Sequence, residues 1–368
     1  MPLRIGVNAL YLIPGGVGGT EVYLRNLLAA LAQIPHQHSF TVFLNRETGA
    51  DLVPAHPAFR AVHTGVNAVS RPRRILYEQT RLPGLLRAAK IDVLFNPGFT
   101  SPLLSPVPNV TVIHDLQHHR HPEYFKPADL LAWRFLVWAS AKTSSRLLTV
   151  SETSREDIND VYGVPLHRIH TVEPGVEPEL FDLKPAQPED MILCVSTLHP
   201  HKNIERLIDA FALFRQRRPG YKLVLAGLRG FHAEAIESRI AHHRLQAEIT
   251  ITGWLPRAEI LALYSRAQFV VFPSTFEGFG MPVIEAMAAG VPLITSDIRP
   301  MKDTAAGAAL LFPPESTAAL AGAMEQFAAS PALRAAHASR ARQSARLNTW
   351  DRAAGLTLEA LERAASPQ

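Results

Sequence analysis

Short runs of β-branched and apolar residues alternate with longer helical patterns from one end of this chain to the other, and this alternation constrains the fold more than any other feature. It predicts α/β architecture, a parallel sheet covered by helices on both faces. In the first half, strands are expected at 4–9, 41–45, 92–96, 110–114 and 147–151, with helices at 19–33, 73–90, 127–142 and 152–162. The stretch 177–190 (EPELFDLKPAQPED) holds no period, is rich in Pro and acid, and reads as an interdomain linker. A second series follows, with strands at 191–195, 222–226, 248–252, 269–273, 292–295 and 309–312. Its helices are expected at 203–216, 232–243, 257–266, 281–289 and 316–328, and helical sequence continues to a last helix at 350–364. At about 150 residues per domain, 368 residues make two. The reading is two Rossmann-like domains facing a cleft, with ligands beyond the carboxyl ends of the strands.

Composition removes several classes. Charge is +4, from 37 basic and 33 acidic residues spread along the chain, which argues against nucleic-acid binding. A single cysteine, Cys194, cannot form an internal disulfide, so a reducing, cytoplasmic setting is expected. The opening MPLRIGVNAL lacks a signal-peptide pattern, and the most apolar stretch, 130–141, is interrupted by Arg134 and too short to span a bilayer.

The most informative segment is PSTFEGFGMPVIEAMAAGVPLI, 273–294. A buried-type strand ends in a loop carrying Glu277, Gly278 and Gly280, and a helix begins near Met281, where Pro282 fits the first turn. Glu277 and Glu285 stand on the loop and on the helix it feeds, and carboxylates accept paired hydrogen bonds from vicinal hydroxyls. The backbone N–H groups of Phe279, Gly280 and Met281 suit a phosphate. On spacing alone, a solvated loop glutamate and a helix-surface glutamate are the simpler account of the pair.

The segment EGFGMPVIEAMAAGVPLITSD resembles the E-x7-E signature of the retaining, nucleotide-sugar-dependent glycosyltransferases of the GT-B fold, the family 4 group. Further matches near 15–21, His114, Ser151 and Lys202 extend the resemblance over nearly the whole chain. It implies that Glu277 contacts hydroxyls of the donor sugar and Glu285 the nucleotide ribose. It implies that Lys202, in VSTLHPHKN, neutralises the diphosphate leaving group, and that His114 orients a sugar hydroxyl rather than acting as a base. Family members often carry an Arg shortly before that lysine. Here Ser196, Thr197 and His201 occupy those places, so His201 or Arg229 is the candidate for the second phosphate charge.

The loop PGGVGGTE, 14–21, with Gly16 at its centre, is expected to border donor phosphates and acceptor, since glycines allow close backbone approach. Its glycines lack the G-x-G-x-x-G spacing and no ribose-binding acid ends the next strand, which disfavours a dehydrogenase. Backbone near 252–255, including Leu255, is expected around the nucleotide base. His118, His119 and His121 lack a clear fourth ligand and read as surface or acceptor-loop residues rather than a metal site. With no Asp-x-Asp motif, no metal and no cofactor is expected. The basic segment 71–90 suggests contact with an anionic acceptor or a membrane surface, although a solvated charged face is the simpler account.

Domain boundaries are expected at 1–178 with 350–368 on the acceptor side, and at 190–349 on the nucleotide-sugar side. The function expected is hexose transfer, with GDP-mannose as the leading donor, to a hydroxyl of a glycan or lipid-linked acceptor. A UDP-sugar donor, a GT-B sugar-nucleotide epimerase and a non-catalytic nucleotide-sugar binding module are the alternatives.

Overall fold

The computed structural model describes residues 1–16, 18–183 and 188–366. The chain forms two compact units, Met1–Gly175 with Thr349–Gln368, and Val176–Asn348.

Unit 1 carries a seven-stranded parallel sheet. Its strands are β1 (Arg4–Ala9), β2 (Ser39–Leu44), β3 (Phe59–His63), β4 (Val93–Asn96), β5 (Asn109–Val112), β6 (Arg146–Thr149) and β7 (Ile169–Thr171). Their order is β3-β2-β1-β4-β5-β6-β7, so chain direction across the sheet reverses between β1 and β4. Ile5, Val7, Val42, Leu94 and Val110 are fully buried, as expected of central parallel strands covered on both faces. The edge strands β3 and β7 were not predicted. β3 exposes Arg60, Ala61 and His63, and β7 is three residues long, so neither shows an apolar run. The helix expected at 73–90 is two helices, Arg71–Thr80 and Leu82–Ala88, because Pro83 takes the first turn of the second. The last helix, Trp350–Ala365, is capped by Thr349 and packs on β4, β5 and β6; the end of the expected segment, 367–368, lies outside the described residues.

Unit 2 carries β8 (Met191–Val195), β9 (Lys222–Ala226), β10 (Ile249–Gly253), β11 (Phe269–Phe272), β12 (Leu293–Ser296) and β13 (Leu310–Phe312), all parallel. The order β10-β9-β8-β11-β12-β13 reverses between β8 and β11. Phe211, Phe214, Leu223, Phe269 and Phe327 form its core on one face of the sheet. Cys194 is buried in β8, where burial pushes its thiol up to about 12, so it has no thiolate to offer. The expected linker begins unit 2: Pro178–Leu180 forms a turn against the helix Met281–Ala289, and the carbonyl of Phe181 accepts from Arg342. Residues 184–187 of that stretch lie outside the described residues.

Candidate active site

In a doubly wound parallel sheet, the loops leaving the carboxyl ends of the two strands at the reversal diverge and open a crevice. In unit 2 those are the loops after β8 and β11, and they carry Lys202 and Glu277.

The β8 loop is held from below. The Ser196 N–H donates to the Ala226 carbonyl at 2.8 Å, and the Ser196 carbonyl lies so close to Gly227 that a Cβ there would approach it to 2.3 Å. Gly227 also has φ +147°, so only glycine fits on both counts. A single turn, Pro200–Lys202, then delivers Lys202, and Asn203 follows in the left-handed region at φ +55°. The Asn203 amide donates to the carbonyls of Pro273 and Pro314 at 3.1 and 3.0 Å. The His201 carbonyl accepts from the Thr275 N–H at 2.8 Å and from its hydroxyl at 3.1 Å. These bonds staple the two loops together. Lys202 Nζ donates to Glu277 Oε1 at 2.5 Å and lies 5.4 Å from the Phe272 ring centroid. Residues expected to serve the phosphate and the sugar separately are therefore one charge pair, with side chains 16% and 13% exposed.

Gly278, Phe279 and Gly280 continue the loop and are buried. Gly280, at φ +94°, turns the chain into the helix Met281–Ala289, and Gly290 ends it in the left-handed region. Glu285 lies on the buried side of this helix, only 6% exposed, and is not the helix-surface residue that spacing allows. Its Oε1 accepts from Arg257 Nη1 at 3.0 Å and its Oε2 from the Tyr264 hydroxyl at 3.0 Å. Burial pushes the Glu285 pKa up, and Arg257 opposes that shift. Arg257 also binds Glu177. Neither Arg257 nor Tyr264 was predicted. The available signal was an arginine in the first turn of a helix, where the dipole disfavours a cation unless an acid compensates it.

Of the residues expected to supply a second cation, Arg229 is exposed and paired with Glu237, and the His201 ring stacks at 5.9 Å on His199. Leu255 is half-buried just past β10, beside the exposed Trp254.

In unit 1, Gly16 donates its N–H to the Ile13 carbonyl at 2.8 Å, and the Gly15 N–H donates to Glu21 at 2.8 Å, so the first glycine turn is closed on itself. Residue 17 of this loop lies outside the described residues. His114, just past β5, packs edge-on to Tyr23 with centroids 5.0 Å apart. Its Nε2 meets the Pro97 carbonyl at 2.9 Å, which requires Nε2–H and leaves Nδ1 as an acceptor. Burial lowers its pKa to about 4, so it is neutral at pH 7. His118 bonds the Tyr162 hydroxyl at 2.8 Å and is lowered by burial to about 3, while His121 pairs with Glu123 at 2.9 Å. His118 and His121 thus have separate partners, the His119 ring lies 4.8 Å from that of His118, and no cluster suited to a metal ion occurs among the described residues.

Both buried histidines bind protons more weakly in the fold than in the unfolded chain. Their contribution to stability is present above pH 6.5 and is lost as pH falls toward 4. At pH 5 each removes about 2 kcal/mol relative to neutral pH. Thermal unfolding followed from pH 7 to 5 is expected to show a falling midpoint, with a shallower fall in His118→Gln.

A family model described as glycosyl transferases group 1 matches residues 176–344, and one described as glycosyltransferase family 4 matches 17–180. The O-antigen chain mannosyltransferase B of Escherichia coli is 26% identical over 263 residues, 68% of this chain and 69% of that protein. The O-antigen chain mannosyltransferase RfbU of Salmonella typhimurium is 31% identical over 217 residues, and the match spans 59% of each chain. Among solved structures, sucrose-phosphate synthase from Thermosynechococcus elongatus matches with a TM-score of 0.80 at 20% identity over 98% of both chains.

Proposed function

Since this chain belongs to the family 4-like glycosyltransferases of the GT-B fold, we propose that it is a retaining hexosyltransferase that takes mannose from GDP-mannose. The Lys202–Glu277 pair at the reversal point of unit 2 carries this reading. An ammonium with three donors can pass from Glu277 to a diphosphate oxygen, and the released carboxylate can then accept sugar hydroxyls. Glu285 spends one acceptor site of each oxygen on Arg257 and Tyr264, so capacity remains for the ribose hydroxyls. Its similarity to two O-antigen mannosyltransferases supports mannose as the sugar.

The reaction proposed is a same-face displacement. The acceptor oxygen bonds to the anomeric carbon, the bond from that carbon to the phosphate oxygen breaks, and the acceptor proton passes to the departing phosphate. Charge accumulates on the diphosphate, where Lys202 and the N–H groups opening the helix at Met281 stabilise it. Neutral His114, with Nδ1 free to accept, orients a hydroxyl. Lys202 supplies the counter-charge, so no divalent ion is required.

The acceptor proposed is a glycan or lipid-linked hydroxyl at the cytoplasmic face of a membrane. No helix among the described residues is long and apolar enough to cross one. Leu131, Phe135 and Trp138 stand exposed along one face of the helix Pro127–Thr143 and support peripheral contact better than the basic segment 71–90 does.

Calorimetric titration with GDP and UDP, followed by donor turnover with and without EDTA, tests the reading. Tighter binding of GDP, release of GDP from GDP-mannose and indifference to EDTA are expected. Preference for UDP overturns the donor, EDTA-sensitive turnover overturns the metal-independent step, and epimerised donor without acceptor transfer overturns the reaction.

A further inference from the structure

Unit 1 has its own reversal point, between β1 and β4, and the side chains gathered there are polar and buried. Asn8, Glu78 and Asn96 are 3%, 2% and 0% exposed. Asn8 donates to Glu78 Oε2 at 3.0 Å and to Asn96 Oδ1 at 3.1 Å. The Thr100 hydroxyl donates to Glu78 Oε2 at 3.2 Å, and the Gln79 amide to Oε1 at 3.2 Å. Both oxygens of Glu78 are thus engaged by neutral donors.

One turn earlier on the same helix is Arg74, 6% exposed, whose Nε has no hydrogen-bond partner among the described residues. It lies in the electrostatic reach of Glu78, Tyr11 and Arg71. Tyr11, in the loop after β1, lies against Gly98 in the loop after β4, where a Cβ would come within 2.3 Å of the ring. Arg74 therefore sits beside the carboxyl ends of the two strands whose loops diverge.

Burying a guanidinium is costly unless its donors and charge are matched. An arginine serving only to neutralise Glu78 would lay its fork on that carboxylate, yet Asn8 and Thr100 fill Oε2 and Gln79 takes a site of Oε1, which leaves no place for two parallel bonds from Arg74. Arg71, whose guanidinium stands 5.1 Å from the Trp133 ring centroid, adds a second positive charge within electrostatic reach of Arg74. We propose that Arg74 is the anchor of an oxyanion subsite in unit 1 that receives a phosphate or carboxylate group of the glycosyl acceptor. Calling the ligand an acceptor rests on the transferase reading; the anion subsite itself does not. The fork geometry suits bidentate binding of either group.

The test uses the full chain and follows unfolding temperature against inorganic phosphate and, in parallel, sodium acetate, in the wild type, Arg74→Gln and Arg74→Lys. The wild type is expected to be stabilised by at least one of the two anions, and the larger response identifies the acceptor group as phosphate or carboxylate. That response is expected to fall at least threefold in Arg74→Gln and to be partly retained in Arg74→Lys. Equal responses in all three proteins, whether large or zero, overturn the proposal. Should Arg74→Gln fail to fold, Arg74→Lys decides: an anion affinity reduced about threefold supports the subsite, and an unchanged affinity overturns it. GDP and UDP are titrated into the same wild-type protein, and absence of any response to them counts against the donor reading while leaving the Arg74 comparison to stand alone.

Discussion

Lys202→Ala is expected to lower the turnover number by about 10²- to 10³-fold, the usual cost of removing one preorganised group from a site of developing charge. Binding of the sugar nucleotide weakens less, because the diphosphate charge grows as the glycosidic bond breaks and Lys202 acts most strongly at that stage. The structure adds a complication absent from a free loop lysine. Glu277 is 13% exposed and bonded to Lys202 at 2.5 Å, so the single substitution leaves a shielded carboxylate facing the donor phosphates. Part of the loss is then repulsion rather than missing attraction. Glu277→Gln removes that repulsion, and the double variant is expected to be hardly worse than Lys202→Ala alone, since the two groups act as a unit. Steady-state kinetics on the four proteins of the cycle give the answer. Turnover above a tenth of wild type in Lys202→Ala, or strictly additive losses, would remove Lys202 from its assigned role.

The pairing of these two residues was hidden in the sequence for a definite reason. A short apolar run followed by a loop and a helical period is legible, and β1, β8, β9 and the helix Met281–Ala289 have the bounds that their patterns predict. Loops after strands at the ligand edge are therefore legible too, which is how Lys202 and Glu277 could be singled out. Which two loops meet depends on strand order, and β8 lies between β9 and β11 only because the chain crosses back over the sheet after β10. Periodicity carries no trace of that crossing. Elements half in solvent were lost for a different reason: β3 and β7 lie at the edges and show no apolar run. Buried polar residues are the hardest class. Arg74 and Glu78 look like solvated charge in sequence, and only packing reveals that they are enclosed.

Glu285→Ala is the second large effect, and the structure changes its expected character from catalytic to both catalytic and structural. A helix-surface glutamate could be truncated without harm to the fold. Here the carboxylate is 6% exposed and holds Arg257 and the fully buried Tyr264. Truncation shifts Arg257 wholly onto Glu177 and strands the buried Tyr264 hydroxyl, which costs about 1–3 kcal/mol, with the cavity left by the lost side chain added to that. Loss of activity in Glu285→Ala therefore cannot distinguish a lost ribose contact from a loosened unit 2. Glu285→Gln can, because an amide oxygen still accepts from Tyr264 and the volume is kept. That variant is expected to stay folded, with a destabilisation of about 1–3 kcal/mol, and to raise the KM for the sugar nucleotide about tenfold through the weaker acceptor it offers the ribose. Denaturation midpoints measured beside KM separate the two effects. A Glu285→Gln protein with wild-type KM would assign Glu285 to the support of Arg257 and Tyr264 alone, and the ribose would then need another acceptor in unit 2.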